Sequence, residues 1–456
     1  MTTFTSINPA TGETIETFTA HSSAQIGQRL EQGHAAFQEW RRVPMSDRVD
    51  AIRRLGKVIE KNRERYARLI TAEMGKPITE ARAEVEKCEW LCRYYADNGP
   101  GFLADQIVET DFQKSFVTFQ PIGLLFAIMP WNFPFWQALR PAVPAILAGN
   151  GFVLKHAPNV FGSAREMEAL FLEAGFPKGL FTSLYVDHEA VPDIIAHDAV
   201  QAVTLTGSVR AGKAIATLAG ANLKKSVMEL GGSDPFVILE DADLDKAAEA
   251  GAQSRLFNTG QTCVAAKRFI VVDPVADGFT ERLVARMQTR KQGDPLDETT
   301  ALGTLARADL RQNLQAQVER TLESGASRAA GGDIPNGQGI FYPATVLTGV
   351  EPGMPAFTEE LFGPVASIIR VKNEDEALQV ANSTSYGLGA AVFTEDLDRG
   401  MRIAKSGLDA GACFVNDFVK SDVRLPFGGT KNSGYGRELS EYGIREFVNI
   451  KTVAVG

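Results

Sequence analysis

Cys263 closes the run Phe257-Asn258-Thr259-Gly260-Gln261-Thr262-Cys263, a small-polar loop between two apolar segments. Buried cysteines normally behave as small hydrophobes on helices or strands. A thiol in a Gly/Thr/Gln loop is placed differently, and its thiolate form is a nucleophile suited to covalent catalysis. Taken alone, a loop cysteine fits a catalytic role and no role equally well. The residues upstream break that tie.

Glu229 ends an apolar run and precedes Gly231-Gly232. A carboxylate there points into the crevice at the carboxyl edge of a parallel sheet, where ligands bind. Burial raises its pKa and suits it to general-base work near neutral pH. The other reading is a salt-bridged strand-end acid. Asn132 sits in Pro130-Trp131-Asn132-Phe133-Pro134, where two prolines fix the backbone. A fixed amide donor can stabilise an oxyanion. An ordinary turn with packed aromatics is the alternative. Leu205-Thr206-Gly207-Ser208-Val209-Arg210-Ala211-Gly212 joins a strand to a helix and reads as a phosphate seat for a dinucleotide. It departs from G-x-G-x-x-G, so a plain strand-to-helix turn fits as well. Glu359-Glu360-Leu361-Phe362-Gly363-Pro364 offers an acid for ribose hydroxyls or simply a solvated pair.

These side chains need a frame. Residues 1–20 read as a strand pair turning at Pro9-Ala10-Thr11-Gly12. Helices follow, one capped by Ser46 and one over 80–95 after Pro77. The charged stretch 61–68 reads as a solvated helix face. Strands are expected at 124–129, 152–154, 181–186, 202–206 and 226–230. Helices are expected at 135–148, 160–174, 189–196 and 209–219. This alternation predicts a doubly wound parallel sheet. A second α/β series has strands at 235–239, 269–272, 365–371, 390–394 and 413–416, with helices at 243–257 and 374–382. Residues 331–339 read as loop.

The length of 456 residues predicts two or three domains. A net charge of −9 argues against nucleic acid as a main partner. No apolar run is long enough for a membrane span. The N-terminus lacks the features of a signal peptide, and the 4 cysteines suit a reducing compartment, so a cytoplasmic protein is expected. Cys88 and Cys92 share a helix face without a His or second Cys pair nearby, so no metal site is expected.

Together, Trp131-Asn132-Phe133-Pro134, Glu229-Leu230-Gly231-Gly232, Gly260-Gln261-Thr262-Cys263, Glu360-Leu361-Phe362-Gly363-Pro364 and Pro426-Phe427-Gly428-Gly429 resemble the aldehyde dehydrogenase superfamily, in order along nearly the whole chain. Segments 128–134, 154–159 and 265–269 are similar to its short bacterial succinate-semialdehyde dehydrogenases. The resemblance implies a Rossmann-type cofactor domain (1–104 and 121–231), an α/β catalytic domain (232–430) and a small β oligomerisation arm (105–120 and 431–456). A homodimer or homotetramer follows from that arm.

The implied reaction is NAD(P)+-dependent oxidation of an aldehyde, most simply succinate semialdehyde to succinate, through a thiohemiacetal and thioester on Cys263. Asn132 and the Cys263 N–H would hold the oxyanion, Glu229 would activate water, and Glu438 would assist proton movement or serve structure. Trp131, Lys155, Gly207, Ser208, Gly212, Glu360 and Phe362 would bind the cofactor. Pro158 stands where NAD-preferring members often carry Glu, so both NAD and NADP are compatible. Arg140, with Trp136 and Ser421, would bind the distal carboxylate. Without the resemblance, Arg140 reads as an ion-pair partner, and Phe257 replaces a second arginine that longer relatives have. The alternatives are other aliphatic or glutarate-type aldehydes, a CoA-acylating enzyme (disfavoured by Glu229) and a non-catalytic binding protein (disfavoured by the intact Cys263, Glu229 and Asn132).

Overall fold

The computed structural model describes residues 2–456. Two large sheets form its centre. The first runs Gly434–Tyr435, Lys225–Glu229, Val200–Thr206, Leu124–Met129, Gly151–His156 and Phe181–Ser183 across its width. Its five longer-range neighbours from Lys225–Glu229 to Phe181–Ser183 pair in parallel. Leu124–Met129 is apolar throughout because helices cover both faces of the sheet. The chain reverses its direction of strand addition at this strand, which opens a crevice at the carboxyl edge.

The second sheet has the order Ser327–Ala330, Thr345–Thr348, Val365–Val371, Ala266–Val272, Asp234–Ile238, Gly389–Phe393 and Ala412–Val415. Its first pair is antiparallel and the rest are parallel. A third, antiparallel sheet joins Gln106–Ile107, Lys114–Pro121 and Val448–Val455. It brings together two segments far apart in sequence. No helix among the described residues is long and apolar enough to cross a membrane.

Several expectations change in detail. Ser46 is no N-cap: the helix Met45–Lys61 starts before it on Pro44, and the Ser46 hydroxyl bonds Asp47. The helix expected over 80–95 spans Ile78–Phe102 and includes Pro100 in its last turn. The strand expected over 181–186 stops at Ser183. Helices Asp273–Gln288 and Ala308–Glu323 were not anticipated. Only Leu314, Val318 and Thr321 of the latter are buried, so its apolar stripe is too thin to stand out among Arg, Gln and Glu.

Candidate active site

The cysteine loop follows the helix Leu244–Leu256 through a 3₁₀ turn at Phe257–Gly260. Asn258, Thr259 and Gly260 have φ of 56°, 53° and 74°, three successive left-handed residues. Such a path needs external support, since non-glycine residues there are strained. The support is buried and polar. The Asn258 amide nitrogen donates to Asn132 O (2.8 Å) and Gln261 O (3.1 Å), while its backbone N–H donates to Glu80 Oε2 (2.8 Å). Arg255 donates to Gly260 O at 2.5 Å and Ala266 O at 3.2 Å. Lys267 Nζ holds Cys263 O at 2.7 Å and Thr262 O at 3.3 Å. A Cβ on Gly260 would meet the Gly363 carbonyl carbon at 2.3 Å, so the Glu360–Pro364 turn lies directly against this loop.

Asn132 follows the strand Leu124–Met129 and is 4% exposed. Its Nδ2 donates to Gln261 O at 3.0 Å, which ties it to the residue two before Cys263. One amide hydrogen is thereby used, and one remains for a ligand. The helix Pro134–Leu147 begins immediately afterwards. Glu84 Oε1 accepts from its Phe135 and Trp136 N–H groups at 2.9 and 3.0 Å, a carboxylate at a helix N-terminus. Glu84 also pairs with buried Lys76 at 2.5 Å. One helix, Ile78–Phe102, therefore anchors both the asparagine segment and the cysteine loop through Glu84 and Glu80.

Cys263 opens on a cavity of about 260 Å³ whose walls are largely Phe133, Trp136, Phe257, Val264, Phe418 and Phe427. Lys87, Arg140, Lys420 and Ser421 also line it. Burial pushes the Cys263 thiol up to about 12, with Arg140 and Lys267 pulling the other way. Glu229 lies at the end of Lys225–Glu229, within electrostatic reach of that sulfur. Its carboxyl is raised well above the usual range by burial and by Glu438. Neither carboxyl oxygen has a hydrogen-bond partner, which leaves both able to accept from a water.

The substrate-side residues Trp136, Arg140 and Ser421 meet in the cavity as expected, but Arg140 is already engaged. It forms a buried ion pair with Glu438 and stands 4.9 Å from the Phe427 ring centre. The ion-pair reading of Arg140 and the structural reading of Glu438 are thus both realised. Sequence reasoning overlooked Lys87, Arg255, Glu80 and Glu84. Their signal was faint: charged residues at inward positions of otherwise amphipathic helices.

Of the expected cofactor residues, Trp131, Lys155, Gly207 and Ser208 lie at the carboxyl edge of the first sheet. Register places Ile128 beside both Lys155 and Leu205, and Thr206 beside Glu229, so four neighbouring strands end together. Burial lowers the Lys155 pKa, and Asp187 opposes this without an ion pair forming. Gly207 leaves its Cβ position open, with Leu205 Cδ2 nearest at 3.6 Å. Ser208 caps the helix Val209–Ala221, its side chain accepting from Ala211 N–H. An open glycine at a helix N-terminus and an unpaired, half-buried ammonium suit a dinucleotide's phosphate and ribose.

Two of the expected cofactor residues also make contacts within the chain. Gly212 faces Leu230, whose Cδ1 would lie 2.5 Å from an added Cβ, so it serves helix–strand packing. Glu360 is turned inward, accepting from Gly232 N–H at 3.0 Å with Lys267 at 3.8 Å, while Glu359 pairs with Arg320 at 2.8 Å. Phe362 packs edge-on to Trp131, ring centres 5.8 Å apart.

Comparison with known proteins extends the geometry. The profile of the aldehyde dehydrogenase family matches residues 1–453. The chain is 48% identical over 448 residues to the succinate semialdehyde dehydrogenase [NAD(P)+] of Escherichia coli K12, covering 98% of this chain and 97% of that one. It is 46% identical to a probable succinate-semialdehyde dehydrogenase [NADP(+)] of Synechocystis, covering 98% of each. The crystal structure of succinic semialdehyde dehydrogenase from Streptococcus pyogenes in complex with NADP+ superposes with a TM-score of 0.97 at 38% identity, covering 99% of each chain.

Proposed function

The chain belongs to the aldehyde dehydrogenase family, and from that premise we propose that it oxidises succinate semialdehyde to succinate. The observation that carries this reading is the cavity itself. Its lining combines a nucleophilic sulfur, Cys263, with apolar side chains and the cations Lys87, Arg140 and Lys420. An aldehyde with a carboxylate a few methylenes away fits that polarity. The relatives of E. coli and Synechocystis named for this substrate support it.

The activity is NAD(P)-dependent aldehyde oxidation. NAD(P)+ would supply the hydride acceptor when bound, and Lys155, Gly207 and Ser208, with Trp131, Glu360 and Phe362, would hold it. Cys263 Sγ, as thiolate, bonds to the aldehyde carbon, and the carbonyl π electrons move onto oxygen. Asn132 Nδ2 and the Cys263 N–H stabilise that oxyanion. Loss of hydride from carbon gives a thioester on Cys263. Glu229 takes a proton from water as its oxygen bonds to the thioester carbon. The carbon–sulfur bond then breaks, which releases the carboxylic acid and restores the thiolate. Arg140, through N–H groups that Glu438 leaves free, adds positive charge beside the substrate's distal carboxylate, with Trp136 and Ser421 as neighbouring walls. Glu438 fixes Arg140 and raises the Glu229 pKa, which is how it touches proton transfer.

The division into a cofactor part (1–104 and 121–231), a catalytic part (232–430) and an arm (105–120 and 431–456) belongs to the same reading, as does a cytoplasmic homodimer or homotetramer. Exposed Ile107, Phe112 and Ile450 on and beside the arm sheet support self-association. The test of function is kcat/KM for succinate semialdehyde, glutarate semialdehyde and butanal with NAD+ and NADP+. A preference of less than about tenfold (~1.4 kcal/mol) for the semialdehyde over butanal rejects the substrate assignment.

A further inference from the structure

Three cations line the cavity, and their partners differ. Arg140 is paired with Glu438, and Lys420 with Asp417 at 2.6 Å. Lys87 has no carboxylate partner among the described residues. Its ammonium instead donates to Ser421 O at 2.6 Å and Ser421 Oγ at 2.7 Å and stands 4.4 Å from the Trp136 ring centre. Glu84, one turn earlier on the same helix, is engaged by Lys76 and two backbone N–H groups, so it does not neutralise Lys87. A half-buried ammonium without a carboxylate partner is costly. Its environment is half of an ion-binding site: a neutral carbonyl and hydroxyl hold the cation in place, and one side faces the cavity.

We propose that Lys87, presented by Ser421 and Trp136, is the principal binding group for the substrate's distal carboxylate. The chemical class recognised is an aldehyde bearing an ω-carboxylate. This rests on the substrate reading above and deepens it. Arg140, whose charge Glu438 largely neutralises, then orients and fine-tunes, and Lys87 provides the uncompensated charge. Burial, with Arg140 next, lowers the Lys87 pKa to about 8, while Asp422 and Glu84 act in the opposite direction. The group therefore remains mostly cationic at neutral pH and gains from a carboxylate bound in the cavity.

The test uses the full-length enzyme and Lys87→Gln, which removes the charge but keeps a donor for Ser421, with Lys87→Arg as the charge-retaining variant. Succinate semialdehyde and butanal are compared, and succinate is assayed as a competitive inhibitor of butanal oxidation. Lys87→Gln is expected to lower kcat/KM about a hundredfold for the semialdehyde but less than about threefold for butanal, and to abolish inhibition by succinate. Lys87→Arg is expected to restore at least part of both. Equal losses on the two aldehydes by Lys87→Gln with no rescue by Lys87→Arg overturn the proposal, as does inhibition by succinate that is absent from the wild type or unchanged in Lys87→Gln. A wild-type enzyme that does not prefer the semialdehyde rejects the substrate reading instead, and the succinate measurement still decides the lysine.

Discussion

Arg140 and Glu438 form an ion pair in which both side chains are 2% exposed, joining the cavity helix to the C-terminal segment behind Glu229. Thr206 Oγ1 lies 3.5 Å from the same guanidinium. Removing one member leaves a buried charge, which costs about 3–5 kcal/mol, whereas replacing both by apolar groups is often neutral. Arg140→Met and Glu438→Leu are each expected to lower Tm by several degrees, and the double variant by less than their sum. Strict additivity in thermal unfolding would show that the two do not act as a pair.

Glu229 is assigned to hydrolysis of the thioester and not to its formation. Glu229→Gln is therefore expected to give a burst of about one reduced cofactor per active site, read as absorbance at 340 nm, followed by turnover slowed at least about a hundredfold. Loss of the burst together with steady-state rate would place Glu229 in the first step.

The Cys263 thiol, held up near 12 by burial and opposed by Arg140 and Lys267, is protonated at neutral pH in the free enzyme. Alkylation of Cys263 by iodoacetamide, followed by peptide mass spectrometry, should rise about tenfold per pH unit between 7 and 10, since only the thiolate reacts. A plateau below pH 8 would contradict this. Buried Cys88 and Cys92 should remain unmodified throughout.

Gly260 carries a left-handed φ and touches the Gly363 backbone, so Gly260→Ala strains one chain and collides with another. A destabilisation of about 3 kcal/mol or more and loss of activity are expected. Native-like Tm and kcat in this variant would mean that the two loops are not in contact.

Asp234 is 2% exposed, and burial raises its pKa to about 7, against the pull of Lys267. The folded state thus holds a proton that the unfolded chain gives up near 3.8. Its contribution is full below that value and is lost as pH rises through about 7. Asp234→Asn should match the wild type only below about pH 3.8 and exceed it in Tm by a margin that grows from pH 5 to pH 8. A variant less stable at pH 8 than at pH 5, relative to wild type, reverses the sign and defeats the assignment.

Much of this molecule was written in the local pattern of the chain. Strand 124–129 falls where its apolar run lies, because a strand covered on both faces must be apolar throughout. Cys263, Asn132 and Glu229 stood out because their neighbours, Gly and Pro, impose unusual backbone paths. What the sequence could not express was partnership over distance. Whether Arg140 is free or bound depends on Glu438, nearly three hundred positions away, and whether Lys87 is neutralised depends on where Glu84 turns. Burial and ion pairing are properties of three-dimensional proximity, set when two sheets and a long helix pack together. Only the tertiary structure could decide which cations remain available to a substrate.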